Sequence, residues 1–354
     1  MTDILLLPEF QKFMNASAAG RRLMPSGKKI HKNTLMQYQT VCKLLNQFES
    51  ERQEPLRIRL LYRNSMRLIQ KEKNYWDRFF RQFCFYLYRQ RNVFDNYAAS
   101  VFRILKTFFQ YLAVERALPV GQFHKKFRVP PEQFTPVILT PGQLSFLITS
   151  AEFNITLPPH LKRTKDIFVF GCTVGLRYSD LMQLRKIHLQ YQQQEVSLLL
   201  HTQKTGAEVR IPLPPYAVDI IKKYHKSAGR FVLPHLSGTN LNLQVKELIR
   251  RAGWDHPLPR IRHRQGCPVE IKTAAGQTYR FCDHITAHTM RRTTITTLLM
   301  LGVDESVVRR ISGHAAGSKE FYRYVVVVQD YLNSKVKAAQ QKLVSPAALY
   351  GESL

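Results

Sequence analysis

Three separated segments of the chain place cationic side chains among small and apolar residues, an arrangement that suits a phosphodiester. They are Gly175-Leu-Arg-Tyr-Ser-Asp-Leu181, the turn Gln203-Lys-Thr-Gly206, and His288-Thr-Met-Arg-Arg-Thr293. Arginine binds phosphate oxygens bidentately and cannot lose its charge in a protein. His288 and Arg291 are three residues apart, so on a helix they share one face. These residue types predict chemistry on a phosphate group.

Further along, Gly313-His314 is followed by Phe321-Tyr-Arg-Tyr324, which adds a second histidine and two tyrosines. A tyrosine hydroxyl can act as a nucleophile when other groups neutralise the phosphate that it attacks. Side chains two residues apart on a helix point about 200° away from each other. Only one of Tyr322 and Tyr324 can therefore face the phosphate.

The charge of the chain indicates a polyanionic partner. The formal net charge is +28 in 354 residues, which favours nucleic acid or an anionic membrane. Residues 1–138 carry 24 Lys+Arg and 10 Asp+Glu, and the remainder carries 53 − 24 = 29 and 25 − 10 = 15, so each part has a net charge of +14. An equal charge on both parts predicts two domains that grip one DNA duplex from opposite sides.

Membrane and secretory classes are not favoured. The sequence has no run of about 18 apolar residues, and its apolar start lacks the basic region of a signal peptide. The five cysteines follow no disulfide spacing, which favours reduced thiols in the cytoplasm.

Helical periodicity predicts an N-terminal bundle of four helices. The first begins near residue 33, and the other three cover 56–70, 74–91 and 94–116. Prolines between 117 and 138 indicate a linker. A second, mixed unit opens at Thr140-Pro141, a helix start with proline in the first turn. It contains strands near 194–201 and 207–213, joined by the turn at Lys204, and helices up to about residue 343. The segment 256–283 is irregular and can hold an extra hairpin.

The quoted motifs resemble those of the tyrosine recombinase (phage integrase) family, in order and at about the family's spacing. The resemblance covers 139–330 specifically and the N-terminal bundle loosely. It implies a mainly α fold with a small β-sheet, made of a helical SAM-like core-binding domain and an α+β catalytic domain. The expected organisation is a basic tail over 1–28, the core-binding domain over 29–135, the catalytic domain over 139–330, and a C-terminal tail over 331–354 that protomers can exchange. The irregular insert resembles integrases of Bacteroidetes mobile elements.

The resemblance also implies the role of each site residue. Arg177 and Arg291 would hold the scissile phosphate, His288 and His314 would donate hydrogen bonds or move a proton, and Lys204 would protonate the leaving 5′ oxygen. A tyrosine would attack and form a 3′-phosphotyrosyl link, with no metal ion, nucleotide triphosphate or other cofactor. The partners would be double-stranded DNA and further copies of the chain, in a tetramer on paired DNA sites.

The family usually places its nucleophile nine residues after the position of His314, whereas Tyr322 and Tyr324 lie eight and ten residues after it. The family's local pattern has an apolar residue or threonine three positions before the tyrosine and an apolar residue after it. Phe321 and Val325 give Tyr324 this pattern. Tyr324 is therefore the predicted nucleophile, and Tyr322 is assigned to packing.

Three alternatives differ in chemistry. A type IB topoisomerase would use the same residues to relax DNA without a second duplex, and a catalytically silent DNA-binding protein would only bind. A zinc-dependent nucleic-acid binder would use His263, Cys267, Cys282, His284 and His288, whose spacing matches no common zinc finger. The N-terminal bundle and the trailing helical segment favour recombination over relaxation.

Overall fold

A computed structural model describes residues 3–62, 65–130, 132, 134–193, 195–203, 206, 208–314 and 317–343. The chain divides into two units, and the division does not follow chain order. The first unit contains Met1–Gln133 together with Ile261–Ile271, and the second contains Phe134–Arg260 together with Lys272–Leu354. A hairpin from the second part of the chain therefore belongs to the first unit.

Aromatic side chains at helical spacing build the core of the first unit. Its elements are β1 (Asp3–Leu5), α1 (Leu6–Ala18), α2 (Lys32–Arg52), β2 (Arg57–Arg59), α3 (Met66–Phe85) and α4 (Asp95–Gln110). Five-residue π-helical turns extend α3 over Tyr86–Gln90 and α4 over Tyr111–Glu115. Phe79, Phe83 and Phe108 are almost completely buried and pack edge-on or stacked against neighbouring rings, which is favourable beyond the apolar area that they bury.

Two parts of the first unit differ from the sequence-based prediction. The predicted tail over 1–28 contains α1, whose Leu6, Phe10 and Phe13 are completely buried, because their spacing forms an apolar stripe on one helical face. The predicted helix over 56–70 is wrong: Arg57–Arg59 form β2, which pairs antiparallel with β1 through Ile4 and Ile58. A partner strand more than 50 residues away overrides the local helical pattern.

The hairpin of the first unit consists of β6 (Arg260–Arg264) and β7 (Cys267–Ile271), within the predicted irregular insert. Both residues of its turn, Gln265 and Gly266, have positive φ, as in a type I′ turn. The carboxylate of Asp95, which is 1% exposed, accepts hydrogen bonds from the backbone N–H groups of Gln265 at 2.8 Å and Gly266 at 2.9 Å. Buried Glu132 accepts two hydrogen bonds from Arg262. Two buried carboxylates thus hold the hairpin within the first unit.

The second unit is built around α7, most of whose residues are buried. Its helices are α5 (Pro141–Thr149), α6 (Ala151–Thr156), α7 (Pro159–Val174), α8 (Tyr178–Met182), α9 (Pro215–Tyr224), α10 (Gly238–Arg251), α11 (Phe281–His284), α12 (Ala287–Met300), α13 (Glu305–Ser312) and α14 (Lys319–Leu343). The strands β3 (Leu189–Gln192), β4 (Glu195–His201) and β5 (Glu208–Leu213) form an antiparallel sheet in the order β3-β4-β5.

The mainly helical fold with small antiparallel sheets is confirmed. The predicted hairpin corresponds to β4 and β5, and β3 is an additional strand. At the C-terminal end, one continuous helix, α14, covers Lys319–Leu343. Among the described residues, no helix has the length and apolar character needed to cross a membrane.

The hairpin contact generates a prediction. In an Asp95→Asn variant, the carboxamide NH₂ would face one of the two turn N–H groups. An NH₂ group cannot accept the hydrogen bond that this N–H donates to the native carboxylate. A lost buried hydrogen bond costs about 1–3 kcal/mol, so the amides of Gln265 and Gly266 should exchange hydrogen with solvent about 5- to 150-fold faster. Glu54→Gln, which removes an exposed acid of the same unit, is the matched control. Unchanged exchange in Asp95→Asn would contradict this account of the hairpin.

Candidate active site

Arg291 occupies the centre of the site because α12 packs directly on α7. Thr294, one turn further along α12, donates a hydrogen bond to the carbonyl oxygen of Cys172 at 2.6 Å. Arg291 is 2% exposed, and its Nη1 donates to the carbonyl oxygen of Gly175 at 3.0 Å. The guanidinium is therefore fixed at the C-terminal end of α7.

Gly175 is required by this packing. It ends α7 with a φ of +64°, and a Cβ atom there would lie 3.0–3.3 Å from the side chain of Thr294. A left-handed residue in a close approach favours glycine. The chain then turns into α8, which has Arg177 at its N-cap position.

Arg177 carries an unused donor. Its Nη1 is buried and has no hydrogen-bond partner among the described residues. Burial, followed by repulsion from Arg177, lowers the pKa of Arg291 to about 10. Two guanidinium groups that repel each other, one with a free donor, form a site suited to an anion.

His314 lies against the same guanidinium. Gly313 ends α13 with a φ of +60°, and Nη2 of Arg291 lies 3.2 Å from Nδ1 and 3.3 Å from Nε2 of His314. The hydroxyl of Ser312 lies 2.8 Å from Nδ1. Burial lowers the pKa of His314, and repulsion from the charges of Arg291 and Arg177 acts in the same direction, so that the pKa is about 4. At neutral pH the ring is therefore uncharged.

The other predicted cationic residues lie differently. His288 is in the first turn of α12 and exposed, yet it is near enough to contribute to the lowered pKa of His314. Lys204 lies outside the described residues. The backbone N–H of the preceding Gln203 donates to the buried carboxylate of Asp180 at 3.1 Å. Asp180 thus holds the start of the turn.

The two candidate tyrosines have different surroundings. Tyr324 is 6% exposed and packs with Ile295, Val308 and Phe321, and its ring centroid lies 6.2 Å from that of His314. Tyr322 is 51% exposed and lies under the guanidinium of Arg309, 5.1 Å from its ring centroid. The structure therefore brings Tyr324 together with Arg291 and His314, and leaves Tyr322 on the surface.

Arg292 is one site residue that the sequence did not predict. Burial lowers its pKa, and the nearby phenol of Tyr324 opposes this effect. The only signal in the sequence is the Arg291-Arg292 pair, whose second member would ordinarily be assigned to the solvent-exposed face of α12.

The model of the phage integrase family matches residues 139–329, which is more than half of the chain. The chain belongs to this family. The tyrosine recombinase XerD of Lacticaseibacillus casei is 26% identical over 224 residues, which cover 61% of this chain and 69% of XerD. Residues 139–329, which the family model matches, contain all the site residues discussed above.

Several solved structures share the fold of this phage integrase family member. A Tn1549 transposon integrase in complex with a circular intermediate DNA has a TM-score of 0.58 at 14% identity, with 91% of this chain and 94% of that chain covered. A lambda integrase dimer bound to a COC′ core site has a TM-score of 0.53 at 14% identity, with 91% and 77% covered. The XerH recombinase bound to a palindromic difH substrate has a TM-score of 0.52 at 12% identity, with 95% and 96% covered.

The zinc alternative receives no support. Within the described ranges, no group of three or more His, Cys, Asp or Glu side chains is placed to hold a metal ion. His284, one of its proposed ligands, instead contacts the carbonyl oxygen of Leu258 at 2.8 Å.

The environment of His314 predicts its titration. An unfolded histidine titrates near pH 6.5, whereas the folded ring has a pKa of about 4. Between these pH values the unfolded state binds more protons than the folded state. The stability that depends on a neutral His314 is therefore fully present at neutral pH, and it is lost as pH falls from about 6.5 toward 4. Ring resonances in NMR spectra, assigned by their absence in His314→Asn, should titrate near pH 4. A midpoint at or above 6.5 would contradict the described site.

Proposed function

We propose that this phage integrase family member is a site-specific DNA recombinase that cleaves and rejoins DNA through a 3′-phosphotyrosyl intermediate. The observation that carries the proposal is the paired guanidinium groups of Arg177 and Arg291 beside the buried Tyr324. A negative phosphate would relieve their repulsion and occupy the unused Nη1 donor of Arg177. Fixed donors of this kind stabilise the charge that develops in a pentacoordinate phosphorus transition state.

The reaction conserves the number of phosphoester bonds. The phenolic oxygen of Tyr324 attacks phosphorus and passes its proton to water, while the bond from phosphorus to the 5′ oxygen breaks. Lys204 supplies the proton that the 5′ oxygen takes up. Ligation reverses these steps with a different 5′ hydroxyl, so no external energy source is required.

His288 and His314 complete the proposed set. A bound phosphate would add negative charge next to His314 and thereby oppose the two effects that lower its pKa, burial and the neighbouring guanidiniums. The imidazole could then donate a hydrogen bond to a nonbridging oxygen. His288, at the exposed start of α12, would reach the phosphate from the side of the solvent.

The proposed partners are duplex DNA and further copies of the chain. The net charge of +28 favours DNA binding that weakens as salt increases. A lambda integrase of the same fold is a tetramer on a Holliday junction, which supports a tetramer on paired sites here. We propose that the first unit is the core-binding domain and the second unit the catalytic domain. The exchangeable C-terminal segment, the similarity of the insert to integrases of Bacteroidetes mobile elements and the cytoplasmic location are proposed from the sequence features described above.

The nucleophile can be tested directly. Tyr324→Phe should abolish covalent protein–DNA adducts on nicked suicide substrates, because it removes the attacking oxygen, and should leave noncovalent binding nearly intact. Tyr322→Phe is the matched control and should retain adducts. Peptide mapping of the wild-type adduct would identify the linked tyrosine. DNA on Tyr322 would overturn the assignment, and no tyrosyl adduct at all would overturn the proposed function.

The general acid can be tested by changing the leaving group. Lys204→Ala should slow cleavage of ordinary DNA by about 10²–10⁴-fold, the usual contribution of a positioned acid. It should spare a substrate whose 5′-bridging oxygen is sulfur, because a thiolate leaves without being protonated. An equal loss on both substrates would show that Lys204 binds DNA and does not donate the proton.

Relaxation of supercoils without strand exchange by the wild type would favour the topoisomerase alternative.

A further inference from the structure

The connection between α1 and α2 contains a small hairpin. Leu23 pairs antiparallel with Lys29. The backbone N–H of Met24 donates to the carbonyl oxygen of Lys28 at 2.8 Å, and the N–H of Gly27 donates to the carbonyl oxygen of Met24 at 2.8 Å. Gly27 has a φ of +75°, as expected where a glycine follows the turn of a three-residue hairpin loop. Hydrogen bonds thus fix the backbone of residues 23–29, the α1–α2 hairpin.

Side chains at its base attach the α1–α2 hairpin to the first unit. Arg22 lies over the ring of Phe13, 4.5 Å from the centroid. Its guanidinium donates to Glu115 at 2.8 Å and to Ser17 at 3.1 Å. On the other side of the hairpin, Ile30 packs against the aromatic core. Both ends are therefore held, and the residues between them, which are exposed, face solvent.

The tip of the hairpin presents apolar side chains. Leu23 and Met24 are 50% and 48% exposed, and the adjacent Pro25 is exposed as well. A single exposed apolar residue, such as Leu243 on α10 at 63%, is common on soluble proteins. Three consecutive ones on a turn are unusual, because turns are normally polar and such runs generally have a function. These three side chains form a small apolar wedge.

Cationic side chains surround the wedge without acidic partners. Arg21, Lys28, Lys29 and Lys32 are exposed, and none of them forms an ion pair with another residue that the structure describes. Residues 10–48 contain seven Lys and Arg and no Asp or Glu. A positive surface that no acid neutralises attracts a polyanion.

DNA fits this surface better than a membrane does. An anionic membrane would also attract the cations, but stable membrane binding needs more apolar area than three side chains supply. The minor groove of DNA is about 6 Å wide, so it excludes a helix and accepts the tip of a turn. Proteins that bind there insert side chains such as Leu, Met and Pro between base pairs. Lys and Arg contact the flanking phosphates.

We propose that the α1–α2 hairpin binds the minor groove of DNA, where Leu23 and Met24 wedge between neighbouring base pairs and Lys28 and Lys29 contact phosphates. The inference rests on the proposed function in that DNA is the partner. It adds a contact far along the chain from the catalytic residues. The wedge selects DNA whose minor groove lacks the amino group of guanine, which projects into that groove.

Two synthetic duplexes test this selection without knowledge of the recombination site. Poly(dI-dC) and poly(dG-dC) present the same groups in the major groove, but only poly(dG-dC) has an amino group in the minor groove. The wild type should bind poly(dI-dC) about 5- to 150-fold tighter, the usual effect of one unfavourable base pair. The double variant Leu23→Ser, Met24→Ser should lose this preference. Leu243→Ser, the matched control, removes another exposed leucine and should keep it.

The phosphate contacts give a different signature. The double variant Lys28→Gln, Lys29→Gln should weaken binding to both duplexes by the same factor, because phosphates carry no base identity. The slope of log affinity against log salt concentration should fall by about 1.8, since each phosphate contact contributes about 0.9. The wedge variant should keep the slope of the wild type.

Thermal unfolding of each variant separates a lost contact from an unfolded chain. If the wedge variant unfolds, benzoylphenylalanine at position 24 decides. Its photochemical adducts should form with poly(dI-dC) and should be suppressed by distamycin, a ligand of the minor groove. Adducts that distamycin leaves unchanged would place the tip elsewhere on DNA and contradict the proposal.

The other outcomes are equally distinct. Equal affinity of the wild type for the two duplexes, or an undiminished preference in the wedge variant, would overturn the minor-groove contact alone. A wedge variant that loses binding to phosphatidylserine vesicles and keeps the DNA preference would overturn it in favour of a membrane contact. A wild type that binds neither duplex would overturn the proposed function as well.

Discussion

The packing of α12 on α7 is the contact on which the rest of the site depends. It places a guanidinium, that of Arg291, in a 2% exposed position with a backbone carbonyl as its anchor. The approach is close because Gly171 and Gly175 leave room for Met290 and Thr294 of α12. From this contact follow the turn that carries Arg177 and the hydrogen bonds that position His314. A side chain larger than hydrogen at Gly175 would separate the two helices and displace all three groups.

The site concentrates positive charge, and nearby acidic side chains balance little of it. Asp180, the buried acid beside it, is hydrogen-bonded to the backbone of Gln203 and has an oxygen with no partner among the described residues. Burial, followed by repulsion between neighbouring cationic groups, lowers the pKa values of Arg291 and His314. Apolar packing elsewhere in the unit must offset the cost of burying these groups. In the proposed reaction a bound phosphate would recover that cost, so affinity for the scissile group and the cost of the site would have a common origin.

The first unit uses buried charge in the opposite way. Asp95 and Glu132 are 1% and 5% exposed, and both are hydrogen-bonded to the hairpin of β6 and β7 through its turn amides and Arg262. Breaking such a pair leaves a buried charge without a partner, which is strongly destabilising. Satisfied carboxylates therefore specify where the hairpin lies, whereas the partly unsatisfied guanidinium of Arg177 in the second unit is suited to an anion.

Local signals in the sequence determined the mainly helical fold, the β4–β5 hairpin and the candidate residues, because periodicity, turn residues and caps act over a few positions. The tertiary structure decided what depends on distant partners. It paired β1 with β2, buried α1, and moved the hairpin of β6 and β7 into the first unit. It gave Tyr324 and Tyr322 different environments. Burial and the charge of neighbours from other segments set the pKa of His314, and no single stretch of sequence contains those neighbours.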